Sequence, residues 1–173
     1  MKHPSLYPDD ETLFDALSES LSEQINLSAD PYSADGTYAA GLMNLPAGLR
    51  LMAATYHLDL SVTLDDIGWH FLNFGEPAFV ALTERCLREL GLQNLADWFV
   101  EARDIVVPHL SGIQGPEDYY GRLEESGQME RIEDLTELVR KAGAESDFSL
   151  YGSIIFGSWV RYVRAHPEAM PIS

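Results

Sequence analysis

The chain has 173 residues, 28 Asp and Glu against 11 Lys and Arg, and a formal net charge of −17. Its 46% hydrophobic content and 18 aromatic residues (7 Phe, 8 Tyr, 3 Trp) are too rich for a disordered acidic tail, and the length suits one domain with a real core. A field of this sign repels nucleic acid and anionic membrane and favours encounter with basic proteins and cations.

The apolar residues recur with helical period along nearly the whole chain. Asp9 or Asp10 can cap a first helix whose inward residues are Leu13, Phe14, Leu17, Leu21 and Ile25. Residues 30–36, DPYSADG, read as a turn-rich connection. Pro46 suits the first turn of a helix to about Leu60, and Asp65 opens a short segment through Phe74. From Pro77 a helix places Phe79, Val80, Thr83, Cys86, Leu87 and Leu90 on one face, with Gly91 just past its end. Asn94 can cap the next, which buries Leu95, Trp98, Phe99, Ala102 and Val106 and stops at Pro108. After the loop SGIQGPED come helices near 117–126, from about Glu130 to Ala142, and from about Phe148 to Ala165. The expectation is a single all-α domain of about seven or eight helices, with no hairpin and no repeat.

Chemistry-bearing motifs are sparse. His3, His57, His70, His109 and His166 form no close ligand pair, and His70 in WHFLNF reads as a packing or capping residue. Cys86, the single cysteine, lies on an apolar face and reads as a small buried hydrophobe, which leaves no disulfide framework. DPYSADG lacks the alternating ligands and terminal Glu of a calcium loop. FGSW at 156–159 is not a nucleophile elbow, and no glycine-rich phosphate loop is present. The N-terminus has no secretory h-region, and no apolar run reaches the ~18 residues of a membrane helix. A non-enzymatic, cytoplasmic protein without metal or cofactor is the expectation. Glu84 with Arg88, and Arg85 with Glu89, have the spacing of surface ion pairs.

The strongest signal is the placement of the acids. Residues 1–48 carry eight carboxylates against one lysine, and 116–147 carry ten against four basic residues. Glu11, Asp15, Glu19 and Glu23 recur every fourth residue inside one helical pattern. Like charges at that spacing cost roughly 0.2–0.5 kcal/mol per pair, so the row points to a basic partner. Asp97, Glu101 and Asp104 form a second row, and Glu117, Asp118, Glu124, Glu125, Glu130, Glu133, Asp134 and Glu137 a third block. The first row spans ~18 Å on a helix, a length over which duplex DNA carries about ten phosphates. One helix is therefore too sparse to imitate a duplex, and two surfaces would have to converge.

Residues 65–110 resemble a bacterial all-helical family of mostly unknown function whose best-described branch contains a DNA-mimic protein. The similar features are Gly68, Trp69, Phe71 and Asn73, then a helix ending in Leu90 and Gly91, then a helix with an alanine and aromatic face. The ending from Tyr162 to Met170, YVRAHPEAM, resembles that family's closing pattern, and the likeness covers about residues 45–170. It implies an all-α fold, and DNA mimicry where the acidic surface is kept. The functional expectation is an acidic interaction protein that occupies the DNA-binding surface of a basic protein, such as a transcription regulator, without binding nucleic acid or membrane itself. Two alternatives are an immunity or antitoxin-like inhibitor of a basic toxin, and an enzyme or small-molecule binder with a site not visible in sequence.

Overall fold

The computed structural model describes residues 4–25 and 29–169, with the side chains of Gln24 and Ile25 left out; the expectations for His3, Met170 and the inward side of Ile25 lie outside what is described. The fold is all-α. Among the described residues there are nine α-helices: α1 Asp10–Ile25, α2 Thr37–Leu42, α3 Ala47–Leu64, α4 Trp69–Phe74, α5 Pro77–Glu89, α6 Gln93–Val106, α7 Pro116–Glu125, α8 Met129–Glu145 and α9 Ile154–Ala165. Short 3-10 turns cover Pro4–Leu6, Val107–His109 and Pro167–Ala169.

The centre is α3, whose sequence explains its place. LRLMAATYHLDLSV is apolar around most of its circumference, with Arg50 and Asp59 its charged residues, and such a helix is stable only when largely surrounded. Leu51, Met52, Ala53, Ala54 and Leu58 are each buried, and α1, α2, α4, α5, α8 and α9 pack around the helix. The hydroxyls buried along it are hydrogen-bonded. Thr55 Oγ1 donates to the Leu51 carbonyl (2.8 Å) and accepts from Trp159 Nε1 (2.9 Å), and Ser61 Oγ donates to the His57 carbonyl (2.7 Å). Thr83 Oγ1 on α5 reaches the Ala54 carbonyl at 2.9 Å. These bonds avoid the penalty of an unsatisfied buried hydroxyl, about 1–3 kcal/mol each.

Most helix ends follow the sequence, although α3 runs on to Leu64 where an end near Leu60 is expected and α4 starts at Trp69 rather than Asp65. Three further exceptions concern α2, α6 and α9. Asp9 Oδ1 accepts from the Thr12 amide at 2.7 Å, so α1 starts as its cap residue dictates. Beyond α5 the Leu92 amide returns to the Leu87 carbonyl and the Gly91 amide to that of Arg88, with Gly91 at φ 79°, a Schellman closure. The first exception is α2, which sequence periodicity does not show because six residues are fewer than two turns. It is started by Asp35, whose Oδ1 accepts from both the amide and the hydroxyl of Thr37. The second is α6, which begins at Gln93 directly after that Schellman turn, so Asn94 lies inside the helix instead of capping it.

The third exception concerns the last helix, which starts at Ile154 and not near Phe148. Residues 150–153 close a tight turn: the Leu150 amide donates to the Ser153 carbonyl (3.1 Å) and the Ser153 amide to that of Leu150 (2.9 Å). Tyr151 (φ 52°) and Gly152 (φ 78°) are both left-handed, the signature of a type I′ turn. Two helical glycines seat this segment. A Cβ at Gly143 would overlap the Gly152 carbonyl oxygen, and one at Gly157 the Phe148 carbonyl oxygen. Ser153 Oγ then caps α9 by accepting from the Phe156 amide at 3.1 Å.

Candidate functional site

The inner face of α1 is claimed by Leu13, Leu17 and Leu21, which are buried, with half-buried Phe14 stacked 6.2 Å from Trp159 of α9. That leaves Glu11, Asp15, Glu19 and Glu23 exposed. None of the four has a cationic partner among the described residues. The nearest arginine contact on this helix is Arg164 Nε to Asp10 Oδ1 at 2.6 Å. Exposed Tyr151 sits against the start of the row, its ring 5.5 Å from that of Phe14. Partial burial, then the negative charges of Asp15, Glu11 and Asp9, push its phenol above the usual range.

The second row has a different fate, because each of its acids faces an arginine. Arg88 Nη1 lies 3.0 Å from Asp97, and Arg103 Nη2 lies 2.9 Å from Asp104. Arg131 of α8 clamps Glu101 of α6 with two bonds of 2.7 and 2.9 Å, which hold that carboxyl below its ordinary range. The 117–137 block divides. Asp118 accepts from the Gln114 amide and pairs with Arg122, whose guanidinium also reaches the His109 and Ser111 carbonyls. Asp134 lies 3.9 Å from Arg131. Glu117, Glu124, Glu125, Glu130, Glu133 and Glu137 are exposed with no ion pair among the described residues.

Arginine is thus spent at helix junctions. Arg140 donates to the Val62 and Asp65 carbonyls (2.9 and 2.6 Å), and Arg161 lies 4.0 Å over the Phe148 ring. Arg88 pairs with Glu84 at 3.2 Å as its spacing implies. Arg85 departs from expectation: its guanidinium meets Met43 Sδ at 3.1 Å, while Glu89 accepts from the Tyr162 hydroxyl at 3.2 Å. Two bare acid surfaces remain, one on α1 and one on α7 and α8. They do not share a helix pair: α1 packs on α3 and α9, and α7 on α8. The α6 row does meet α8, but through the neutralising Arg131.

The histidines and the cysteine belong to the interior. His57 Nε2 lies 3.0 Å from the Tyr38 hydroxyl, and burial brings its pKa down to about 4. His70 is fully buried against Phe71, Phe74, Phe79 and Phe99, and burial, with the neighbouring His57, takes it down to about 3. Both rings are neutral at physiological pH and act as aromatic packing. Burial pushes the Cys86 thiol up to about 12, which removes its nucleophilic form. Among the described residues no group of three His, Cys, Asp or Glu side chains could hold a metal ion, and no helix is long and apolar enough to cross a membrane.

One acid carries a signal that periodicity passes over. Asp59 interrupts the apolar run of α3, and it lines a cavity of about 300 Å³ between α3, α8 and the 150–153 turn. Ser153 Oγ donates a short hydrogen bond to its Oδ1. A lone carboxylate inside an otherwise apolar helix is the sequence feature that marks it. Comparison of the chain with protein-family models, with curated proteins and with solved structures returns no match.

Proposed function

We propose that this protein is a non-enzymatic acidic interaction protein whose α1 face docks on a basic protein surface, in the manner of a DNA mimic that occupies a DNA-binding site. The observation that carries the reading is the contrast in charge compensation. The chain's arginines neutralise acids at helix junctions, yet Glu11, Asp15, Glu19 and Glu23 stand exposed at one helical spacing with no cation beside them. Natural surfaces that serve only solubility intersperse both signs. A row left bare accepts a self-repulsion of a few tenths of a kcal/mol per pair, a cost that an opposing stripe of Lys and Arg would offset.

The row advances ~6 Å per step along the helix axis, and its four charges are fewer than half the phosphates of an equal length of duplex. It therefore matches only part of a DNA-binding surface, and the bare acids of α7 and α8 form a separate surface. The test is affinity capture from lysate at low salt, repeated at high salt, followed by competition between this protein and DNA for the captured partner. The expected result is a basic partner, released by salt, from which the protein displaces DNA without binding DNA itself. A partner that binds equally in high salt, or that holds DNA and this protein together, contradicts the proposal.

A further inference from the structure

The cavity between α3, α8 and the 150–153 turn has its own chemistry. Its walls are mainly apolar and aromatic, with Tyr56, Leu60, Val139, Ile155 and Phe156 around the Asp59 carboxylate. At about 300 Å³ it matches the lower end of small-ligand sites. Asp59 and Arg140 are the charged side chains that line it. Nε and Nη2 of Arg140 donate to the Val62 and Asp65 carbonyls, so two of the three guanidinium nitrogens are already engaged. Asp59 has the Ser153 hydroxyl on one oxygen, and the described residues place no donor on the other.

From these contacts we infer that the cavity binds a small organic ammonium ion, with Asp59 as its counter-ion and the apolar walls around its hydrocarbon body. Burial raises the Asp59 carboxyl to about 6, against the opposing Ser153 hydrogen bond, so ionising it carries a desolvation cost that a neighbouring cation would offset. The aromatic faces of Tyr56 and Phe156 suit an ammonium group, which aromatic quadrupoles attract. The −17 field selects against carboxylate and phosphate ligands. The site is preformed, because Gly143 and Gly157 let the 146–153 segment sit directly on α8 and α9. This inference does not depend on the α1 row.

Isothermal titration of the full chain with n-hexylamine, hexan-1-ol and hexanoate tests it. The expected result is one-to-one binding of hexylamine, with the alcohol and the acid much weaker. Tyr56, Tyr151 and Arg140 are the other titratable or charged groups that face the cavity, and Asp59 is its one carboxyl, so the expected pH dependence is that of Asp59. Hexylamine should bind about tenfold more weakly near pH 5 than near pH 7.5, because roughly one-tenth of a carboxyl with a pKa of about 6 is ionised there. Asp59→Asn should lose at least about tenfold in affinity near pH 7.5 while its melting curve shows a folded protein. Equal binding of hexan-1-ol, an affinity flat from pH 5 to 7.5, or full retention by Asp59→Asn would each overturn the assignment. So would the absence of any hexylamine binding, or binding that ~0.5 M NaCl abolishes, which would place the amine in the diffuse surface field. Should the variant fail to fold, the wild-type pH dependence decides.

Discussion

α1 and the α6–α8 junction carry acids at nearly the same helical spacing, yet they are physically different surfaces. On α1, Glu11, Asp15, Glu19 and Glu23 face solvent with no cation beside them among the described residues. At α6 and α8, Asp97, Glu101 and Asp104 each meet an arginine, and Arg131 ties two helices together through Glu101. Spacing of like charges on one helix therefore does not define an interaction surface. What decides is whether a cation lies beside the acids: Arg88 of α5 and Arg131 of α8 come from neighbouring helices, and Arg103 from α6 itself.

The largest expected effect tests whether α1 and α8 rest on separable parts of the core. Trp159 is buried, bonded to Thr55 and packed on Phe14 of α1. Trp159→Ala should destabilise the protein by about 3–5 kcal/mol, through a cavity and the lost hydrogen bond to Thr55. Hydrogen exchange should show α1 losing protection before α8. Equal loss in both helices would mean that the two regions share one cooperative support.

Charge removal comes next. Replacing all four α1 acids by glutamine keeps size and helix propensity, and should reduce affinity for a basic partner by about 2 kcal/mol at low salt, as the sum of exposed pairs of roughly 0.5 kcal/mol each. Loss of the same size on replacing Asp97, Glu101 and Asp104 would erase the distinction between the surfaces. In the free protein the fourfold α1 variant should gain about 1 kcal/mol from relieved repulsion, read as a higher melting temperature that responds less to added NaCl.

Arg131→Ala sharpens the comparison from the other side. The bidentate pair with Glu101 is half-exposed, so its loss should cost only about 1 kcal/mol. It should also make the α6–α8 junction behave like α1, with a melting temperature that rises more steeply with salt than the wild type's. An unchanged salt response would show that Arg131 does not compensate those acids.

Asp59 is the acid that belongs to neither region, and its effect depends on pH rather than on salt. Its folded pKa of about 6 exceeds the ordinary 3.8, so between roughly pH 4 and 6 the folded chain holds more of this proton than the unfolded one. Stability falls as pH rises through that window, and the penalty is complete above it. Asp59→Asn should therefore stabilise near pH 7.5, by less than the ~3 kcal/mol that about two pKa units represent because the Ser153 hydrogen bond is weakened, and give no gain near pH 4, as measured by urea denaturation. A gain that is independent of pH would sink this account of Asp59.

Much of this fold is written in local sequence. The inner stripe of α1, the Pro77 start of α5 and the Gly91 stop depend on residues within a turn or two of one another, so periodicity and cap chemistry reveal them. α2 escapes because six residues carry no periodic signal. The late start of α9 escapes because it depends on Gly143 and Gly157, two glycines whose role appears only when the 146–153 segment lies on them. The same limit applies to the candidate surfaces. Exposure of Glu11, Asp15, Glu19 and Glu23 follows from the leucines opposite them. The neutralisation of Glu101 by Arg131 joins residues thirty positions apart on different helices, and no local pattern encodes it.

The central claim, that α1 is the uncompensated surface and the α6 row is not, is tested most directly by titrating the isotopically labelled protein with a lysine-only peptide at low salt. Backbone and carboxylate NMR shifts would be followed at both rows. The account predicts that Glu11, Asp15, Glu19 and Glu23 respond at lower peptide concentration and with larger shifts than Asp97, Glu101 and Asp104, and that NaCl reverses the response. Equal or stronger response at the α6 row would contradict it.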